Sequence, residues 1–294
     1  MSTLSDVEVK IFLEEVLCIE DAKTKFKHNK EKLLREILYQ FQHVEPYHSI
    51  VCLGTKPEDR HLPLWDEIKE NLFRKRGGRC YVANQFMKIL LEKIGYDVYH
   101  TRGSVLKAKN NHVCTLVRDL NQVGDLHMAD VGIGYPTWDP IPLNFEVESP
   151  VYHVGFLYFK FQRNGDIITR LHKNDKRYEF PVNIDSKAWH EFMVMRTTPC
   201  ELTDMQPVMT AMYTVPGAYN SSFLKSLKCV IFKNGKLVAF KDSTFLYEND
   251  DHQLQVEQIT TRKKLVSKIL MYFPQFTLNM VEAALDASIT LKFD

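Results

Sequence analysis

The sequence predicts an α+β protein in which helices and strands occupy separate stretches of the chain. Three observations carry that reading. Apolar residues recur at helical spacing through about the first ninety-five residues. From Tyr96 the period falls to two, with polar turn clusters between short apolar runs. The last ninety or so residues combine a hairpin signal with two further amphipathic stretches. The divisions expected on this basis are 1–95, 96–206 and 207–294.

In chain order, Val7, Ile11 and Val16 recur at roughly helical spacing, as do Leu33, Leu34, Ile37, Leu38 and Phe41. Pro46, Pro57 and Pro63 interrupt the helical region and leave a further helix near residues 64–73. The next helix is expected to start at Cys80, because Val82, Phe86, Ile89, Leu90 and Ile94 form an apolar stripe that stops at Gly95. Gly77 and Gly78 then lie just ahead of its N-terminus. Short strands follow, separated by Lys109-Asn110-Asn111, residues 121–124 and Asn164-Gly165-Asp166, the pattern of an antiparallel sheet or barrel. Residues 151–161 and 167–170 read as one hairpin, and residues 229–232 and 237–240 as another, turned by Lys233-Asn234-Gly235. Helices at residues 262–272 and 277–287 complete the chain.

The charge is balanced, 38 basic against 37 acidic residues, so no global field attracts nucleic acid or an anionic membrane, and any anionic ligand must be held locally. The first residues carry no basic start leading into an apolar run. No stretch approaches the roughly 18 apolar residues a membrane span needs. A cytoplasmic protein is expected, with neither nucleic acid nor membrane as partner. None of the six cysteines lies in a Cys-x-x-Cys pair, which argues against a disulfide framework or a zinc site. His43 and His48 do not make a metal pair, since Pro46 separates them and no carboxylates follow in register; no metal is expected.

The residues that point to chemistry are Cys80, His112 and Asp130. A cysteine at a helix start after two glycines meets unpaired backbone N–H groups and the positive end of the helix dipole, both of which favour the thiolate. His112, Cys114 and Leu116 share one face of a predicted strand, and Leu126, Met128 and Asp130 share one face of the next. A turn pivoting at Asn121 sets His112 directly opposite Asp130; a pivot at Gln122 makes them diagonal neighbours on the same face. Either register lets the carboxylate hold one imidazole nitrogen while the other points towards a thiol. Taken singly, each residue has a plainer reading: a small buried cysteine, a structural histidine, a turn aspartate.

With these residues in view, the chain resembles the arylamine N-acetyltransferase family. Arg76-Gly77-Gly78-Arg79-Cys80 together with Asn84 matches the family's nucleophile motif, Asp130-Val131-Gly132-Ile133-Gly134 its Asp-x-Gly-x-Gly segment, and Trp138-Asp139-Pro140-Ile141-Pro142-Leu143 the segment that follows. The resemblance runs from Leu33 to Ala287. It implies a helical bundle carrying Cys80, an antiparallel β-barrel carrying His112 and Asp130, and a C-terminal α/β lid, around a cysteine-protease-like Cys-His-Asp core. It also implies a monomer working by a ping-pong reaction with acetyl-CoA as co-substrate and a small arylamine, hydrazine or hydroxylamine as acceptor. Gly132, Gly134 and Thr214 carry over as coenzyme A contacts, and Tyr47, Val105 and Ile133 as lining of the acceptor pocket.

The chain departs from the family at Pro46-Tyr47-His48-Ser49-Ile50, where Pro-Phe-Glu-Asn-Leu is usual. Ile133 replaces an aromatic residue, and the loop between Gly103 and His112 is shorter than in vertebrate members. Two other readings of the triad stay open at this point. The same Cys-His-Asp set serves papain-like proteases and transglutaminases, and a binding protein can retain it without turnover.

Overall fold

A computed structural model describes residues 2–173 and 188–293. The first region is helical, as its periodicity predicts, with one local departure. Helix α1 (Asp6–Ile11) starts in a Ser5/Glu8 capping box. It passes directly into a wider π turn, Phe12–Val16, which buries Phe12, Leu13 and Val16. Phe12 is thereby placed against the rings of Phe86, Phe73 and Phe41, at 4.5, 5.5 and 6.4 Å. After α2 (Ala22–His28), α3 (Lys30–Val44) is capped by Asn29 and buries Leu33, Leu34, Ile37, Leu38 and Phe41. A two-residue strand β1 (Tyr47–His48), the short α4 (Ile50–Gly54) and α5 (Trp65–Phe73) lead to α6 (Cys80–Ile94).

Helix α6 is the central element. It starts at Cys80 and ends at Gly95, whose φ of +117° reverses the chain without a Cβ clash. It is buried nearly all round, because the other helices cover one side and the sheet covers the other.

That sheet holds β2 (Asp97–Val105), β3 (His112–Arg118), β4 (Leu126–Met128), β5 (Ile141–Pro142), β6 (Tyr152–Val154), β7 (Leu157–Asn164), β8 (Ile167–Lys173) and β9 (Trp189–Arg196). All pairings are antiparallel, in the order β5-β4-β3-β2-β9-β8-β7-β6, and the curled sheet has free edges at β5 and β6 among the described residues. Strand β3 is covered on both faces: Val113 and Val117 pack with α6, Cys114 and Leu116 with a second core inside the sheet's curl. Leu116 pairs with Met128 and Val117 with His127, so the turn pivots at Gln122 and the diagonal register holds. The expected strand over residues 151–161 is two strands, since the chain turns at Gly155, φ +57°, and β6 folds back on β7.

Helix α7 (Leu202–Thr214) spans the division expected at 206/207; Pro207 within it masks the helical pattern. The final region forms a second sheet of β10 (Lys228–Lys233), β11 (Lys236–Lys241), β12 (Thr244–Glu248) and β13 (Leu254–Gln258), with β1 as its first strand. Asn234 and Gly235, at φ +52° and +74°, turn the β10/β11 hairpin as its sequence predicts. Strands β12 and β13 have no counterpart in the sequence reading. Helices α8 (Arg262–Tyr272) and α9 (Leu278–Ala287) cover this sheet, and Ile50 and Leu53 of α4 share their core. The N-terminal region is therefore threaded into the C-terminal sheet through Tyr47↔Val230 and His48↔Cys229.

Candidate active site

Cys80 is the first residue of α6, with Arg79 as an extended N-cap that makes no side-chain capping bond. The chain reaches this point through a close backbone crossing. Gly77 has φ +65°, and a Cβ there would sit 2.0 Å from the Pro46 carbonyl oxygen. Gly78 N–H donates to that same oxygen at 3.0 Å, and Gly77 N–H donates to the buried Glu45 carboxyl at 2.7 Å. Only glycine fits the crossing, and the crossing fixes where α6 begins.

His112 opens β3, and Asp130 lies two residues beyond the end of β4. The imidazole Nε2 and the Asp130 Oδ2 are 2.6 Å apart, with both side chains buried. The other carboxylate oxygen accepts from Asn84 Nδ2 at 2.8 Å and from the Gly132 N–H at 2.9 Å. Asn84 is one helical turn on from Cys80. Its amide also donates to the Val113 carbonyl at 2.7 Å and accepts from the Val131 N–H at 3.2 Å, so one side chain ties α6, β3 and the Asp130 turn together. With Nε2 engaged, Nδ1 is the imidazole nitrogen left for sulfur.

The electrostatics follow from burial and these bonds. Burial pushes the Asp130 carboxyl up, but the charge of His112 and the bonds from His112, Asn84 and Gly132 hold it below the usual range. Burial pushes His112 down, and the Asp130 carboxylate outweighs it and holds the imidazole well above its ordinary value. Burial raises the Cys80 thiol, yet hydrogen bonding with His112, the His112 charge and then the Arg79 charge bring it below an ordinary cysteine. Cys114, on the His112 face of β3, differs: burial pushes its thiol up to about 11, so it stays protonated beside the same imidazole. Of the two thiols near His112, Cys80 is the one poised as a thiolate.

Cys80 and His112 face a cleft of about 110 Å³. Tyr47, Val105 and Ile133 all line it. The loop before His112 is closed by Asn111, which accepts from Val105 N–H at 2.7 Å and donates to the Val105 carbonyl at 3.1 Å. Gly132 lies under the nucleophile: a Cβ there would meet Cys80 Cα at 2.7 Å. Gly134 lies against the Tyr47 ring, where a Cβ would meet Cδ1 at 2.7 Å. Thr214 ends α7, with its hydroxyl donating to Thr210 O at 2.9 Å; Met212 of the same helix lines the cleft. Arg79 and Lys228 also line it, and the sequence reading gave neither a role. Arg79 had a signal, since it precedes Cys80 in the motif; Lys228 had none, being 148 positions away in the chain.

A family model described as N-acetyltransferase matches residues 32–283. Comparison with curated protein sequences finds no match. Among solved structures, the chain is similar to the arylamine N-acetyltransferase of Mycobacterium abscessus, with a TM-score of 0.75 and 14% identity over 97% of this chain and 94% of that one. It is likewise similar to the Salmonella typhimurium enzyme, at 0.73 and 17% over 97% and 99%. The Mycobacterium marinum enzyme, determined in complex with CoA, matches at 0.73 and 15% over 94% and 98%.

Proposed function

Because this chain belongs to the arylamine N-acetyltransferase family, we propose that Cys80, His112 and Asp130 are the nucleophile, base and orienter of acetyl transfer from acetyl-CoA to an arylamine, hydrazine or hydroxylamine. The Cys80 thiolate, paired with protonated His112, attacks the acetyl carbonyl of acetyl-CoA. The tetrahedral adduct expels the coenzyme A sulfur, which takes the proton from His112, and the acetyl group remains on Cys80 as a thioester. The amine nitrogen then attacks that carbonyl, neutral His112 accepts its proton, and the amide departs as the thiolate is restored. Asp130 keeps Nε2 protonated, so Nδ1 does the proton transfer at the reacting side. Tyr47, Val105 and Ile133 shape the acceptor side of the cleft, and Gly132, Gly134 and Thr214 are assigned to the coenzyme A side.

The observation that carries this reading is the buried Asp130–His112 contact at 2.6 Å beside a thiol whose pKa is lowered. Every group named comes from a single copy of the chain, and we expect a monomer by size-exclusion chromatography. No helix among the described residues is long and apolar enough to cross a membrane.

The test is intact mass spectrometry after brief incubation with acetyl-CoA and no acceptor, alongside Cys80→Ala. One acetyl group is expected on the wild type and none on the variant, discharged when an arylamine is added. Folded protein with reduced Cys80 that gains no acetyl group refutes the assignment.

A further inference from the structure

Arg79 is a buried cation without a carboxylate. It is 2% exposed, and among the described residues no acidic side chain pairs with it. Its Nη1 donates to the Met212 carbonyl at 2.9 Å, its Nη2 to the Ser221 hydroxyl at 3.4 Å, and its Nε has no partner. The guanidinium sits over the rings of Tyr213 and Phe223, at 4.3 and 4.6 Å. These contacts fix its position and bring it no formal negative charge. The acids that act on it are Tyr213, Cys52, Cys80 and Tyr47. Burial pushes Tyr213, Cys52 and Tyr47 up, which leaves the Cys80 thiolate as its counter-anion.

A second cation lines the same cleft. Lys228 Nζ donates to the Ser222 hydroxyl at 2.6 Å and lies 5.1 Å from the centre of the Phe223 ring, the ring Arg79 also covers. Burial and the Lys241 charge pull Lys228 down to about 8, with Asp242 opposing and Arg79 adding to the repulsion. Among the described residues, no aspartate or glutamate lines the cleft that both cations share with Cys80 and His112. In the acetyl-transfer reading, acetylation converts the thiolate to a neutral thioester, so Arg79 loses its counter-anion at the moment the second substrate enters. A buried guanidinium and a half-buried ammonium lining one cleft favour an anion between them.

We propose that Arg79 and Lys228, with the Ser222 hydroxyl, form an anion subsite in the Cys80 cleft that recognises a carboxylate carried by a substrate. This rests on the acetyl-transfer reading for the substrate's other half. The cleft of about 110 Å³ admits a carboxylate on an acyl chain or on an acceptor amine.

The first test is independent of turnover: the rate of Cys80 alkylation by iodoacetate relative to iodoacetamide, read by mass spectrometry and compared with the same ratio for glutathione. Both reagents consume the same thiolate, so a change in its pKa cancels. The wild-type ratio exceeds that of glutathione, and Arg79→Met lowers it by roughly tenfold, the size of one charge-assisted hydrogen bond. Lys228→Met lowers it in the same direction. A wild-type ratio equal to that of glutathione, or one unchanged in both variants, overturns the subsite. Two further arms locate the carboxylate. Faster loading from malonyl-CoA than from acetyl-CoA places it on the acyl group, and faster discharge of the acetyl-enzyme by 4-aminobenzoate than by its ethyl ester places it on the acceptor. Neither preference, with the acetyl-enzyme forming normally, overturns the substrate assignment. Absence of any acetyl-enzyme counts against the acetyl-transfer reading, while the alkylation ratio still decides the subsite.

Discussion

Asp130→Asn isolates the part of the site that geometry alone makes catalytic. The carboxylate accepts three bonds: Oδ1 from Asn84 and Gly132, Oδ2 from His112. An asparagine keeps the first two by placing its amide oxygen at the Oδ1 position, which directs its NH₂ at His112 Nε2. That nitrogen must then accept, and the neutral ring carries its proton on Nδ1, the side from which it should take one. The charge is lost as well, and with it the largest effect opposing the burial that lowers His112. Breaking a buried charge pair costs about 3–5 kcal/mol. At 1.36 kcal/mol per factor of ten, acetylation of Cys80 slows by roughly 10²- to 10⁴-fold. The assay is the initial rate of acetyl-enzyme formation by rapid-quench mass spectrometry at pH 7, with the pH profile of iodoacetamide labelling as companion. In the wild type the lowered Cys80 pKa keeps the thiolate present as pH falls below the ordinary cysteine range. In the variant, labelling requires higher pH, because burial is no longer offset by an imidazolium. A folded Asp130→Asn protein that acetylates within tenfold of wild type, with an unshifted labelling profile, refutes the reasoning.

Three other outcomes follow from the same structure. Asn84→Ala removes one of the three bonds to the buried Asp130 carboxylate and the side-chain partner of both the Val113 carbonyl and the Val131 N–H; a loss of about 2–4 kcal/mol is expected in denaturant titrations. Gly77→Ala forces a Cβ against the Pro46 carbonyl at a positive φ; it is expected to cost at least about 2 kcal/mol and to slow Cys80 labelling, since the crossing positions the start of α6. His48, buried against Phe276, is held neutral, with burial lowering its pKa to about 3. Between that value and the unfolded value near 6.5 the unfolded chain binds a proton that the folded one does not, so stability falls as pH falls through this window. His48→Phe removes that dependence, and its stability relative to wild type rises by about 2 kcal/mol between pH 7 and pH 5; parallel denaturation curves at the two pH values that show no relative change exclude the assignment.

The helix starting at Cys80 and stopping at Gly95, the Asn234-Gly235 hairpin and the two final helices were legible because each is set by local patterning and end signals. The common face of His112 and Asp130 was legible for the same reason, since strand period fixes a face whichever of two turns is used. The choice of turn was not, because one residue of register depends on how β3 and β4 pack between two cores. Strand β13 escaped because a half-exposed edge carries little apolar signal, Leu254–Gln258 alternating only weakly; β12 lies between β11 and β13, and its Phe245-Leu246-Tyr247 run shows no alternation to mark it as a strand. Helix α7 escaped because Pro207 argues against a helix that tertiary packing nonetheless sustains through Met205, Met209 and Met212.

By itself the sequence determined which thiol, imidazole and carboxylate are available, and that the thiol begins a helix. Only the tertiary structure decided how they are wired. Asn84 bonded to Asp130 across 46 residues, Tyr47 paired with Val230, and Arg79 set against Met212 and Phe223 are contacts between segments that no local spacing relates. Local propensity acts over a few residues, whereas the potential around Cys80 is the sum of charges, Arg79, His112, Asp130 and Lys228 among them, that the packed fold brings together from separate stretches of chain.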